Sequence, residues 1–133
     1  MIPSFDDSGF LPPGIHPATL VEIDVRFGRQ SELRRVQMES VRWMADLAAR
    51  AGVRRIVLNG SFVSDIMEPN DVDCVLLFPQ GAPRNRAAFG ELRKGLPFLD
   101  IALAEQADFD EFVDVTFAAD RDGAPKGMIE VIL

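Results

Sequence analysis

The segment Asp71–Phe78 carries the apolar run Val72, Cys74, Val75, Leu76 and Leu77, with no polar residue after Asp73. A strand with one wet face alternates apolar and polar residues, whereas a strand apolar on both faces is covered on both sides. This run therefore predicts a strand buried on two faces. Arg55-Ile56-Val57-Leu58-Asn59 is a second candidate of the same kind, β-branched and apolar. Pro97 to Leu103 and Met128 to Leu133 read as further strands.

Helices alternate with these strands. Thr19-x-x-Glu22 has the form of a capping box and predicts a short helix ending near Gly28. Ser31 caps a longer helix that stops before Gly52. Leu33, Val36, Val41, Met44, Leu47 and Ala48 form its apolar stripe, and Glu32, Arg34, Arg35, Glu39, Arg42 and Arg50 suit a wet face. Arg86 to Lys94 predicts a helix closed by Gly95. Asp108 to Ala119 predicts another, with Phe109, Phe112, Val113 and Phe117 inward. Phe62 to Met67 reads as a short turn or helix, Pro79 to Pro83 as a loop and Asp122-Gly123 as a turn. Leu11-Pro12-Pro13-Gly14-Ile15-His16-Pro17 holds three prolines, which excludes a regular helix or a central strand and predicts an extended arm. The alternation belongs to an α/β or α+β class.

At 133 residues the chain predicts one domain, 1–133, with a Pro-rich N-terminal arm (1–18). Acidic residues outnumber basic ones, 21 to 14, for a formal charge of -7. That balance argues against extensive binding to duplex nucleic acid, where basic contacts to phosphate dominate. A small polyanion escorted by a metal ion remains compatible with it. Cys74 is the one cysteine, so neither an internal disulfide nor a cysteine zinc cluster can form. The first residues have no signal-peptide pattern, and no apolar run approaches the ~20 residues needed to span a bilayer. A cytoplasmic protein with no membrane association is the expectation.

The segment from Leu58 to Cys74 carries the chemistry. Asp71 and Asp73 are two apart on a strand, so their carboxylates emerge on one face. Adjacent carboxylates repel unless a cation lies between them. Mg²⁺ takes oxygen ligands of this type together with substrate phosphates. Gly60 permits close backbone approach to a ligand. Ser61, at a strand-to-helix turn, can offer a hydroxyl and an N–H to a phosphate.

Gly60-Ser61, nine residues, then Asp71-Val72-Asp73 between apolar residues resembles the signature of the DNA polymerase β-like nucleotidyltransferase superfamily. The resemblance implies a short mixed β-sheet flanked by helices. It gives Gly60 and Ser61 the triphosphate, and Asp71 and Asp73 the metal, Mg²⁺ or Mn²⁺. A third carboxylate on a neighbouring strand would complete a two-metal site. Asp100, inside the apolar Phe98-Leu99-Asp100-Ile101-Ala102, is preferred for that place over Asp114 in Phe112-Val113-Asp114-Val115-Thr116. Asn59 is a departure, because an apolar residue often precedes the glycine. The implied reaction is transfer of a nucleoside monophosphate from an NTP to an acceptor hydroxyl on protein or nucleic acid, with Asp100 also deprotonating or orienting the nucleophile.

A second resemblance spans nearly the whole chain. Ile2-Pro3, Gly9 to His16, Arg26-Phe27-Gly28, Gly60 to Val63 and Asp120 to Gly127 resemble a family of short, uncharacterised bacterial proteins placed near the nucleotidyltransferases. Proteins of this type often belong to toxin–antitoxin or phage-defence pairs, frequently beside a HEPN-type protein. The implied alternative is a non-catalytic binding module, such as an antitoxin neutralising a partner protein.

Other readings of the same residues stay open. Asp71 and Asp73 are also good turn and strand-start residues, and a two-metal site serves nucleases as well. His16 is either an active-site base or a hydrogen-bonded anchor, the anchor being the commoner role. Arg84, Arg86, Arg93 and Lys94 are either phosphate ligands or a solvated helix face. Asp122 to Gly127 lacks P-loop spacing and reads as a turn. Cys74 packs as a small apolar residue. Trp43 is a core residue in preference to an interface one.

Overall fold

The computed structural model describes residues 1–78, 81–116 and 126–133, with residues 115 and 116 described by backbone alone. Strand β1 (Gly14–Thr19) leads directly into helix α1 (Leu20–Phe27), and α2 (Glu32–Ala51) follows. Then come β2 (Arg55–Asn59), β3 (Val72–Leu77), α3 (Arg86–Lys94), β4 (Leu99–Ala104), α4 (Gln106–Glu111) and β5 (Gly127–Ile132). The fold is mixed α and β, as the alternation predicts.

The helix boundaries follow their caps. Thr19 Oγ1 accepts from Glu22 N at 3.2 Å, and Glu22 Oε1 accepts from Thr19 N at 3.0 Å, which is the capping box in full. Ser31 Oγ accepts from Arg34 N at 3.1 Å to open α2, and Gly52 closes it in the left-handed region at φ 82°. Asn85 caps α3 through Ala88 N at 3.0 Å, and Gly95 ends it.

The five strands form one sheet in the order β1-β5-β2-β3-β4. β1 runs parallel to β5, and β3 parallel to β4, while β2 is antiparallel to both its neighbours. Ile56, Leu58, Cys74, Leu76 and Ile129 pack on one face against Ile23, Met38, Val41, Met44, Ala48 and Leu92 of α1, α2 and α3. Val57, Val75, Leu77 and Met128 pack on the other against Phe109 and Val113. The non-alternating apolar run is thus explained by cover on both sides.

The arm is extended as expected, and its residues 14–19 form a strand at the sheet's edge, where Pro17 is tolerated. Three expectations need correction. The last helix breaks early, with α4 ending at Glu111 and a π-helical turn occupying Phe112–Thr116. Arg34 is buried, 2% exposed, not on a wet face, because with Gln37, Met38, Val41 and Met44 it falls on the three- and four-residue stripe that faces inward. Val36 and Trp43 face outward instead, Trp43 being 47% exposed. Phe117 and the Asp122-Gly123 turn lie outside the described residues. Among the described residues, no helix is long and apolar enough to cross a membrane.

Candidate functional site

Register gathers the candidate residues. Asn59, the last residue of β2, pairs across the sheet with Asp73 on β3, and Asp73 pairs with Asp100 on β4. Cross-strand partners share a face, so all three side chains leave the sheet on one side, at one end. Backbone bonding fixes the β3–β4 offset there, with Val72 N donating to Phe98 O at 2.8 Å. Phe98 holds a positive φ of 66° as the chain turns into β4. A one-residue slip would send Asp100 to the opposite face.

Gly60 follows Asn59 with φ 83° and ψ -158°, a region essentially closed to residues with a side chain. A Cβ there would also run into Asp73 Oδ2. The glycine is therefore required twice, by the turn and by the carboxylate that leans on it. Ser61 begins a single 3₁₀ turn, Ser61–Val63, and is half-buried. Among the described residues its hydroxyl makes no hydrogen bond, while its carbonyl accepts from Ser64 Oγ at 2.7 Å.

Two side chains of α2 hold the loop between the Gly-Ser turn and β3. Arg34 donates to Phe62 O at 2.7 Å, Ser64 O at 2.9 Å, Ser61 O at 3.3 Å, Phe27 O at 3.1 Å, and Ile66 O. Gln37 Nε2 donates to Asn70 O at 2.6 Å and Pro69 O at 3.0 Å. The N-terminal arm braces the loop from outside, with Asp65 N donating to Gly9 O at 3.0 Å and Phe10 bridged to Ser64.

Asp73 is the electrostatic centre. Burial, then the like charge of Asp100, pushes its carboxyl above the usual carboxylate range; Lys126 opposes them, and Asp71 adds the smallest upward push. Asp71 itself is exposed, one residue before β3. Asp114 is exposed on the π-helical turn, so register brings Asp100 and not Asp114 beside Asp73. Among the described residues, no three or more His, Cys, Asp or Glu side chains form a group able to hold a metal ion. Asp73 and Asp100 stand as a pair of cross-strand neighbours.

The remaining candidates fall elsewhere. His16 Nε2 is bonded to Pro12 O at 2.7 Å, the anchoring role. Arg84, Arg86, Arg93 and Lys94 are exposed, and α3 packs on the face opposite Asp73, which fits a solvated helix. Cys74 is buried, and burial with Asp73 and Asp100 nearby pushes its thiol far above its usual range, so it is unreactive. A cavity of about 480 Å³, lined by Arg54, Leu77, Phe78, Phe89 and Glu105, sits at the other end of the sheet, away from the carboxylates. The spacing of α2's stripe was the signal for Arg34, whose charge disguised it. Lys126 lay in a stretch read as a turn, and no sequence signal pointed to its place opposite Asp73.

A family model described as "family of unknown function (DUF6932)" matches residues 3–132. No curated protein and no solved structure matches the chain.

Proposed function

The chain belongs to this family of unknown function, and we propose that it is a minimal metal-dependent nucleotidyltransferase. The observation that carries the reading is Asp73 beside Asp100 on parallel strands, with the Gly60-Ser61 turn pressed against Asp73. Asp73 and Asp100, with Asp71 at the rim, would hold Mg²⁺ or Mn²⁺. The raised Asp73 carboxyl fits this, because like charges held together are relieved by a cation. Bound there, the ion would neutralise charge developing on a transferring phosphoryl group.

The chain's own residues would do the rest. The Ser61 hydroxyl, which has no hydrogen-bond partner among the described residues, would donate to a triphosphate oxygen. Arg34 and Gln37 keep the loop from closing over that position by holding its carbonyls on the α2 side. Asp100, the more exposed carboxylate, is the one open to an acceptor hydroxyl of protein or nucleic acid. With its single unreactive thiol, the protein suits a reducing compartment, and we place the reaction in the cytoplasm.

One observation favours a second reading. Val36 and Trp43 are exposed one above the other on the outer face of α2. That suits a binding module that grips a partner protein, such as an antitoxin holding a toxin or a HEPN-like protein.

Thermal unfolding with ATP, GTP, CTP or UTP, with and without Mg²⁺ or Mn²⁺, separates the two. A nucleotide at ~100 times its dissociation constant should stabilise the wild type by about 2.7 kcal/mol. The gain should require metal and vanish in Asp71→Asn/Asp73→Asn. A folded protein that responds to no nucleotide overturns the transferase reading and leaves the binding module.

A further inference from the structure

Asn59 is 5% exposed, and its Oδ1 has no hydrogen-bond partner among the described residues. Buried acceptors are rarely left so, and each exception asks for a cause. Gln37 has an orphaned oxygen too, but its amide nitrogen is committed to Pro69 and Asn70. The Asn59 side chain makes no such bond among the described residues. An apolar residue, like Val57 and Leu58 before it, would fill the position at no desolvation cost.

Its neighbours supply the cause. Asn59 is the cross-strand partner of Asp73, which is the partner of Asp100. Three oxygen-bearing side chains thus stand side by side on β2, β3 and β4, beyond the point where apolar packing by Phe109 and Val113 ends. An amide oxygen is a hard, neutral donor of the kind that Mg²⁺, Mn²⁺ and Ca²⁺ accept. It adds a ligand without adding charge where two carboxylates already repel. We propose that Asn59 is the third protein donor of the cation site, its carboxamide oxygen acting with Asp73 and Asp100 while Asp71 stays at the rim. The inference rests on the cation of the transferase reading, and not on the nucleotide or the acceptor.

The test is Mn²⁺ binding to the full chain, read from the electron paramagnetic resonance of free Mn²⁺, beside thermal unfolding without metal. The proteins are wild type, Asn59→Leu, Asn59→Asp and Asp73→Asn. Asn59→Leu should weaken Mn²⁺ by about tenfold or more, the scale on which metal sites respond to losing a supporting residue. Its metal-free unfolding temperature should match or exceed wild type, because an unsatisfied acceptor has been removed. Asn59→Asp should retain binding. Wild-type Mn²⁺ affinity in Asn59→Leu, alongside a loss in Asp73→Asn, overturns the role of Asn59 alone. So does a metal-free Asn59→Leu that unfolds earlier than wild type, since that marks a structural asparagine. Mn²⁺ bound equally by wild type and Asp73→Asn, or by neither, overturns the cation site itself.

Discussion

The loop from Ser61 to Asn70 separates two polar regions that are built on opposite terms. On the α2 side, Arg34 and Gln37 are almost wholly buried, and between them they donate to six carbonyls of that loop and one of Phe27. On the sheet side, the Asn59 oxygen has no partner among the described residues, and Asp73 faces another carboxylate. On the α2 side the buried donors are committed within the chain, although the Gln37 carboxamide oxygen has no partner among the described residues. Polarity left unsaturated at a strand end, with a perturbed carboxyl beside it, marks a candidate functional site.

That contrast can be broken in three ways. Arg34→Ala should have the largest effect, about 3 kcal/mol or more by urea denaturation, because several buried carbonyls lose their donor together. A loss of less than about 0.5 kcal/mol, the range of an ordinary surface change, would mean that the clamp holds nothing. Gly60→Ala comes next at about 2 kcal/mol, from its backbone conformation and the collision with Asp73. Placed on an Asp73→Ala background it should cost less, and strict additivity in that double-mutant cycle would refute the contact. The smallest effect, of opposite sign, belongs to Asp73→Asn. A carboxyl raised in the folded state favours folding while protonated, and that advantage is lost as pH rises through its folded pKa. The variant should therefore unfold slightly later than wild type at neutral pH without metal. The difference should fade as pH falls from that raised folded pKa to the ordinary carboxylate value, and a constant gap over that window would contradict it.

Much of this was legible in the chain. Thr19 with Glu22, Ser31, Gly52 and Gly95 mark helix ends by local chemistry, which needs no tertiary context. The cores of β2 and β3 show in their apolar runs, and Asp100 in its apolar setting. What stayed hidden depends on non-local pairing. The offset between β3 and β4 decides whether Asp100 or another carboxylate meets Asp73, and nothing in either strand alone encodes it. The charge of Arg34 suits a wet face, while its place on the helix turns it inward, and the carbonyls that receive it lie far away in the chain. Asn59 stood out as a departure, but its meaning required knowing that Asp73 lies opposite.

Pro17 has a further consequence at the sheet's outer margin. Backbone N–H groups of an edge strand point alternately to the neighbouring strand and to solvent. Pro17 has none to offer, so its side of β1 is the outward one, shared with Ile15 and Thr19. Thr19 N is already taken by Glu22. Of three outward positions, only Ile15 keeps a donor for a newcomer. An extended peptide arriving at this margin finds one backbone donor among three outward positions, so this edge is a poor template for a further strand.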